Sequence, residues 1–145
     1  MTSPASAARP EVDVIQLDVP ADPAYVAVVR TAAAGLAARA DLTLDRIEDL
    51  RIAVDEACAL LLSCPQTPVA AGVVPEISCV FTLENHALTV EVTGPDVRLP
   101  DPSAFAWAVL EALVDTVHCG TDPASDGTPF TWLRLSVRGG TSTWT

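Results

Sequence analysis

The segment from Thr43 to Leu62, TLDRIEDLRIAVDEACALLL, constrains this chain most, because it reads as one helix that is apolar around nearly its whole circumference. Ile47, Leu50, Val54, Ala57, Cys58 and Leu61 recur at the three-and-four spacing of a buried stripe, while Ile52, Ala53, Ala59 and Leu60 make the other side apolar too. Such a helix must be covered on more than one side. Little polar face remains around Glu56, so its carboxylate is expected on a packed or pocket-lining surface rather than in open water. Carboxylates are rarely buried unpaired, which leaves an internal partner or a cavity built for chemistry.

The remaining chain supplies the layers that cover it. Glu11 to Val19 is an extended run ended by Pro20, and Asp22-Pro23 places a capping residue before a proline suited to the first helical position. That first helix runs to about Ala40, and Thr43 caps the second. Pro65, Pro68, Gly72 and Pro75 make 64–75 a loop. Glu76 to Leu83 and Ala87 to Val92 read as strands joined by the short turn Glu84-Asn85-His86. A second loop covers Gly94 to Pro102, a third helix Ser103 to about His118, and a closing strand Pro129 to Val137. The expected fold is α+β: a single two-layer sandwich over residues 11–138, its mixed or antiparallel sheet covered on one face by three helices. Residues 1–10 and 139–145 read as disordered tails.

Composition excludes several functions. A formal net charge of −11 disfavours contact with phosphate backbones and points to basic or amphipathic protein surfaces. The chain holds no run of about eighteen apolar residues, the length of a membrane span, and its N-terminus lacks the apolar core of a signal peptide, so a cytoplasmic protein is expected. All eight basic residues are arginine, which removes Walker-lysine and Schiff-base chemistry. The alanine-, proline- and arginine-rich, lysine-free composition points to a high-GC bacterial genome. Cys58, Cys64, Cys79 and Cys119 form no C-x-x-C pair, and His86 and His118 fall at no ligand spacing with them, so no metal site is expected. Cys58 belongs to the buried stripe, whereas Cys64 and Cys119 follow predicted helix ends, where exposure would permit a redox role. Reduced thiols are the cytosolic default.

The run VPADPAYVAVVRTAAAGLAARADLTLDRIEDLRIAVDEAC, from Val19 to Cys58, resembles the first two helices of the RsbW-like anti-sigma factors. These are bacterial serine kinases built on the histidine-kinase-like (GHKL) ATPase fold, in which an AV-x-EAC helix carries a catalytic glutamate. HALTVEV at 86–92 is similar to the family's central strand, AFAWAVLEALVDTV at 104–117 to its helix after the nucleotide lid, and Gly127-Thr128 to its GT turn. The resemblance implies that Glu56 is the general base. It also implies an asparagine for magnesium four positions later, where this chain has Leu60, and an adenine-binding aspartate where VTGPD places Gly94. A shifted register would put Asp96 in that role, beyond Pro95. The phosphate glycines match Ala104 and Ala106, flanked by Phe105 and Trp107.

Loss of all three elements implies a pseudokinase without a cofactor, the alternative being an active Mg-ATP-dependent kinase that phosphorylates a STAS-type anti-anti-sigma antagonist. Glu56 is then a relict base, or a carboxylate paired with an arginine or hydrogen-bonded at a former pocket wall. By the same resemblance, Arg30 and Glu111 match positions that contact an RNA polymerase sigma factor. Glu111 lies among a stripe of Trp107, Leu110 and Val114, opposite an expected core stripe of Phe105, Val109, Ala112, Leu113 and Thr116. The family also implies a homodimer, for which the first strand offers Val12, Val14, Ile15 and Leu17.

Overall fold

The computed structural model describes residues 11–63 and 71–139. The expected tails at 1–10 and 140–145, together with Cys64, Pro65 and Pro68, lie outside the described residues. Gly139, expected in the C-terminal tail, is buried and donates its amide to the His86 carbonyl at 2.6 Å.

Five strands form one sheet: β1 (Val12–Pro20), β2 (Glu76–Glu84), β3 (Ala87–Pro95), β4 (Thr116–Pro123) and β5 (Pro129–Arg138). Their order is β1-β2-β3-β5-β4. Every neighbouring pair is antiparallel, so the mixed option falls away. Strict alternation decides which face meets the helices. Ile77, Cys79, Phe81 and Leu83 of β2, Leu88, Val90 and Val92 of β3, and Leu133, Leu135 and Val137 of β5 are buried on it. Thr82, Thr89, Glu91 and Arg134 alternate onto the opposite, open face. The β2–β3 turn needs a left-handed backbone at both central residues, and Asn85 and His86 supply it with φ of 50° and 62°.

Helix α1 (Val26–Arg39) follows a 3₁₀ turn at Pro23–Tyr25, where Asp22 accepts the Ala24 amide at 2.9 Å. Helix α2 (Leu44–Leu61) begins at Thr43, whose hydroxyl accepts the Arg46 amide at 3.3 Å. Ala33 and Ala37 of α1 and Ala53 and Ala57 of α2 are fully buried, and such small side chains let the two helices approach closely. The expected buried stripe of α2 is present, with Ile47 at its half-covered end. Its back is less apolar than expected: Ile52 is half exposed and Ala59 is exposed, so α2 keeps a solvent face. No helix among the described residues is long and apolar enough to cross a membrane.

The third helix departs most from expectation. Helix α3 spans only Phe105–Leu113, and the chain turns extended at Val114 (φ −132°, ψ 168°) before entering β4, an unexpected strand whose start, 116–118, falls within the expected helix. Asp115 fixes this exit: its amide donates to the Ser136 carbonyl at 2.9 Å, and its carboxylate accepts from Arg46 of α2 and the Arg138 amide, both at 2.8 Å. Thr116, Val117 and Thr121 supply β-branched residues to the new strand. Gly120 is required opposite Trp132, because a Cβ there would lie 2.9 Å from Trp132 Cζ2. The two stripes of α3 exchange roles. Leu110 and Val114, expected at the partner surface, are 0% and 4% exposed in the core, and Trp107 packs against it. Of the stripe expected inside, only Leu113 packs against the core; Phe105 is 81% exposed.

Thr131 is the one buried polar residue among those described. Its hydroxyl accepts the Val97 amide at 3.0 Å and donates to the Val97 carbonyl at 3.3 Å, tying the loop after β3 to β5. Thr131→Val keeps the shape but leaves both Val97 groups unpaired, which should cost about 1–3 kcal/mol. Thermal melts should show a lowered midpoint for Thr131→Val and a nearly unchanged one for Thr131→Ser; equal midpoints would mean that these bonds contribute nothing.

Candidate functional site

Glu56 sits past the middle of α2, half-buried, and makes no hydrogen bond or ion pair with another described residue. The expected arginine partner is not there. Arg30, which the sequence placed at a partner surface, instead reaches from α1 to Asp55, its Nη1 donating to both carboxylate oxygens at 2.9 and 2.8 Å. Both side chains keep about a third or more of their surface exposed (32% and 40%), so this pair contributes at most about 1 kcal/mol. Its effect is to hold the Arg30 head against α2 while leaving it reachable from solvent.

The positions matched to the nucleotide site carry few polar side chains. Leu60 is half-buried against the core and has no atom that ligates a cation. Gly94 is buried in β3, and a Cβ built on it would lie 3.4 Å from Leu61 Cβ and 3.8 Å from both Leu61 methyls. Those are ordinary van der Waals distances, so a side chain could start there beside leucine. Asp96 lies past the end of β3, half-buried. Ala104 occupies the N-cap of α3 without a side-chain cap, and Ala106 lies inside the first turn. Among the described residues, no cluster of three His, Cys, Asp or Glu side chains has the arrangement of a metal site.

Trp107 and Glu111 do come together. With Leu99, Pro100, Pro102 and the β4 residues Val117 and Cys119 they line a cavity of about 250 Å³ between α3 and the sheet. Trp107 donates its indole N–H to the Pro100 carbonyl at 3.2 Å, which fixes the ring as one wall. Ser103 donates to Asp101 through both its amide (3.0 Å) and its hydroxyl (2.8 Å), holding the Asp101 carboxyl below its ordinary pKa at the entry to α3. Phe105 projects from the same helix into solvent. α2 packs against both α1 and α3, so it runs between the helices that carry Arg30 and Glu111. Two residues missed in the sequence, Asp55 and Asp115, thus set the positions of Arg30 and of the α3 exit.

The sequence profile of the histidine kinase-like ATPase domain matches residues 19–132. The anti-sigma-F factor RsbW of Mycobacterium tuberculosis is 32% identical over 130 residues, covering 86% of this chain and 73% of that relative. The serine-protein kinases RsbW of Bacillus velezensis and Bacillus subtilis are 53% and 52% identical over 47 and 46 residues, in each case 32% of this chain. The matched stretch spans only 29% of the length of each Bacillus protein.

The thiols separate by environment. Burial pushes Cys58 and Cys79 up to about 12; it raises the Cys119 thiol too, but Cys119 is exposed beside the α3 cavity, where a reagent can reach it. Because the thiolate is the reactive form, a chromogenic disulfide reagent acting on native Cys64→Ser protein should modify Cys119 alone. Mass spectrometry showing rapid labelling of Cys58 or Cys79 would mean that α2 opens from the sheet under native conditions.

Proposed function

The chain belongs to the histidine kinase-like ATPase domain family, as an RsbW-like member, and from that premise we propose that it is a cytoplasmic anti-sigma factor. It sequesters an RNA polymerase sigma factor by direct binding and holds no nucleotide. One observation carries the docking part of this reading: α3 presents Phe105 almost fully to solvent beside an open cavity walled by Trp107 and Glu111. An exposed aromatic next to a rigid tryptophan and a carboxylate is the composition of an interface anchor. Leu110 and Val114 support that surface from beneath instead of joining it. The nucleotide part is supported by Leu60, which offers no cation ligand, by glycine at 94, which offers no carboxylate, and by alanine at 104 and 106 in place of phosphate glycines. A STAS-type antagonist that competes for the sigma-binding surface completes the proposal.

The alternative, an active serine kinase acting on that antagonist, is favoured by Glu56, which is held in α2 without a partner among the described residues. Calorimetric titration with Mg-ATP separates the two: no heat of binding is expected at physiological magnesium, and saturable micromolar binding would overturn the pseudokinase reading. In a sigma-binding assay, charge reversal at Arg30 or Glu111 should weaken the complex by roughly 2–5 kcal/mol, because each leaves a partner charge unpaired. The melt of the Glu111 variant should barely move and that of the Arg30 variant should fall slightly, because it sets a carboxylate against Asp55, while Trp107→Ala should lower both the midpoint and the affinity. Full binding by both charge-reversal proteins would place the docking surface elsewhere.

We also propose a homodimer formed through β1. It is an edge strand that exposes Val12, Val14 and Ile15, a template for pairing with a second copy. Light scattering should return twice the chain mass, with Val14→Lys shifting it toward the monomer. A monomer mass across a wide concentration range would exclude the dimer.

A further inference from the structure

The largest cavity described lies on the open face of the sheet, away from the α3 surface. It is a groove of about 640 Å³ floored by the ends of β2, β3 and β5 and walled by the segment before β2 and the β4–β5 turn. Val74 and Pro75 stand on one side, Pro129 and Phe130 on the other, and Glu76 and Asp126 at the rim. No arginine, lysine or histidine is among the described residues that line it. The strands of the floor are paired with one another there, Ser78 with Thr93 and Pro95 with Phe130, so the groove recognises side chains rather than accepting an extra strand.

Its charged groups, Glu76, Asp96 and Asp126, are all carboxylates and its prolines have no N–H to donate, while Ser78, Thr93 and Thr128 add hydroxyls that donate as well as accept. The Thr128 amide donates to Asp126 at 2.9 Å and, with the Thr128 hydroxyl, holds that carboxyl below its ordinary pKa, so the rim stays anionic across the physiological range. A net charge of −11 adds a field that draws cations toward it. Apolar walls with an anionic rim fit a guest that combines apolar side chains with a cationic donor group.

We propose that this groove docks an arginine-containing apolar segment of a partner protein, independently of the α3 surface. The guanidinium group supplies fixed donors for Glu76 and Asp126, while the neighbouring apolar side chain fills the space beside Phe130. The test is fluorescence anisotropy with the labelled peptide Arg-Leu-Arg-Leu-Arg-Leu and the full-length protein. The wild type should bind it, more weakly as salt rises. The double variant Glu76→Gln with Asp126→Asn, and separately Phe130→Ala, should each lose at least about tenfold in affinity. Asp45→Asn with Glu84→Gln removes the same charge elsewhere and should leave binding unchanged, as should Phe105→Ala on α3.

No binding by the wild type, equal weakening by the two charge-neutralised proteins, or equal binding of a peptide with glutamate in place of arginine would each overturn the proposal. Loss of peptide binding as the protein self-associates would assign the groove to a second copy and overturn it as well. If Phe130→Ala melts below the assay temperature, the double variant decides, because Glu76 and Asp126 are both exposed.

Discussion

Helix α2 touches every other layer of the molecule: α1 on one side, α3 on the other, and β3 and β5 beneath it. Leu50, Val54 and Leu61 are buried there almost completely, at about 1.5–3 kcal/mol each. The alanines at 53 and 57 set how near α1 can come, so a larger side chain at either would push the helices apart and open the core. Leu61 contributes to the core and packs against β3 at Gly94, where a Cβ would meet it in ordinary van der Waals contact.

Charged groups act at the margins of the helical layer. Arg30–Asp55 joins α1 to α2, and Arg46–Asp115 joins the start of α2 to the exit of α3. Both pairs are partly exposed, so they orient elements more than they stabilise them. On the other side of the sheet, Arg134 pairs with Glu91 at 2.7 Å and lies 5.0 Å from the Trp132 ring centre, while Trp132 donates to Asp122 at 2.9 Å. The open face is therefore ordered by its own side chains even where no helix covers it.

The layer architecture was legible because its signals are local. Alternation marked β2 and β3, Asn85-His86 marked their turn, and Thr43 marked the start of α2. Glu56 was expected to meet an arginine, yet that arginine went to Asp55, one residue earlier; only the tertiary phase of α1 against α2 chooses between adjacent carboxylates. The faces of α3 were reversed for a similar reason. Both of its stripes are apolar, so periodicity could not say which one meets α2. β4 was lost because its β-branched start follows an apolar helix without a break, and the residue that enforces the change, Asp115, does so through partners distant in sequence, Arg46 and Arg138.

The strand order has a kinetic side. Only β2–β3 and β4–β5 are hairpins; joining β1 to β2 closes a loop over residues 21–75, and joining β3 to β5 closes another over residues 96–128. Loop closure is unfavourable until the distant contacts form, so the sheet is assembled from two quickly made halves by two slow encounters. In the first of these encounters the excursion contains α1 and α2, whose packing shortens the effective loop before β1 arrives. The helical pair is thus a folding aid as well as a cover, and damage to its alanine contacts would be felt in the rate of refolding as well as in the final stability.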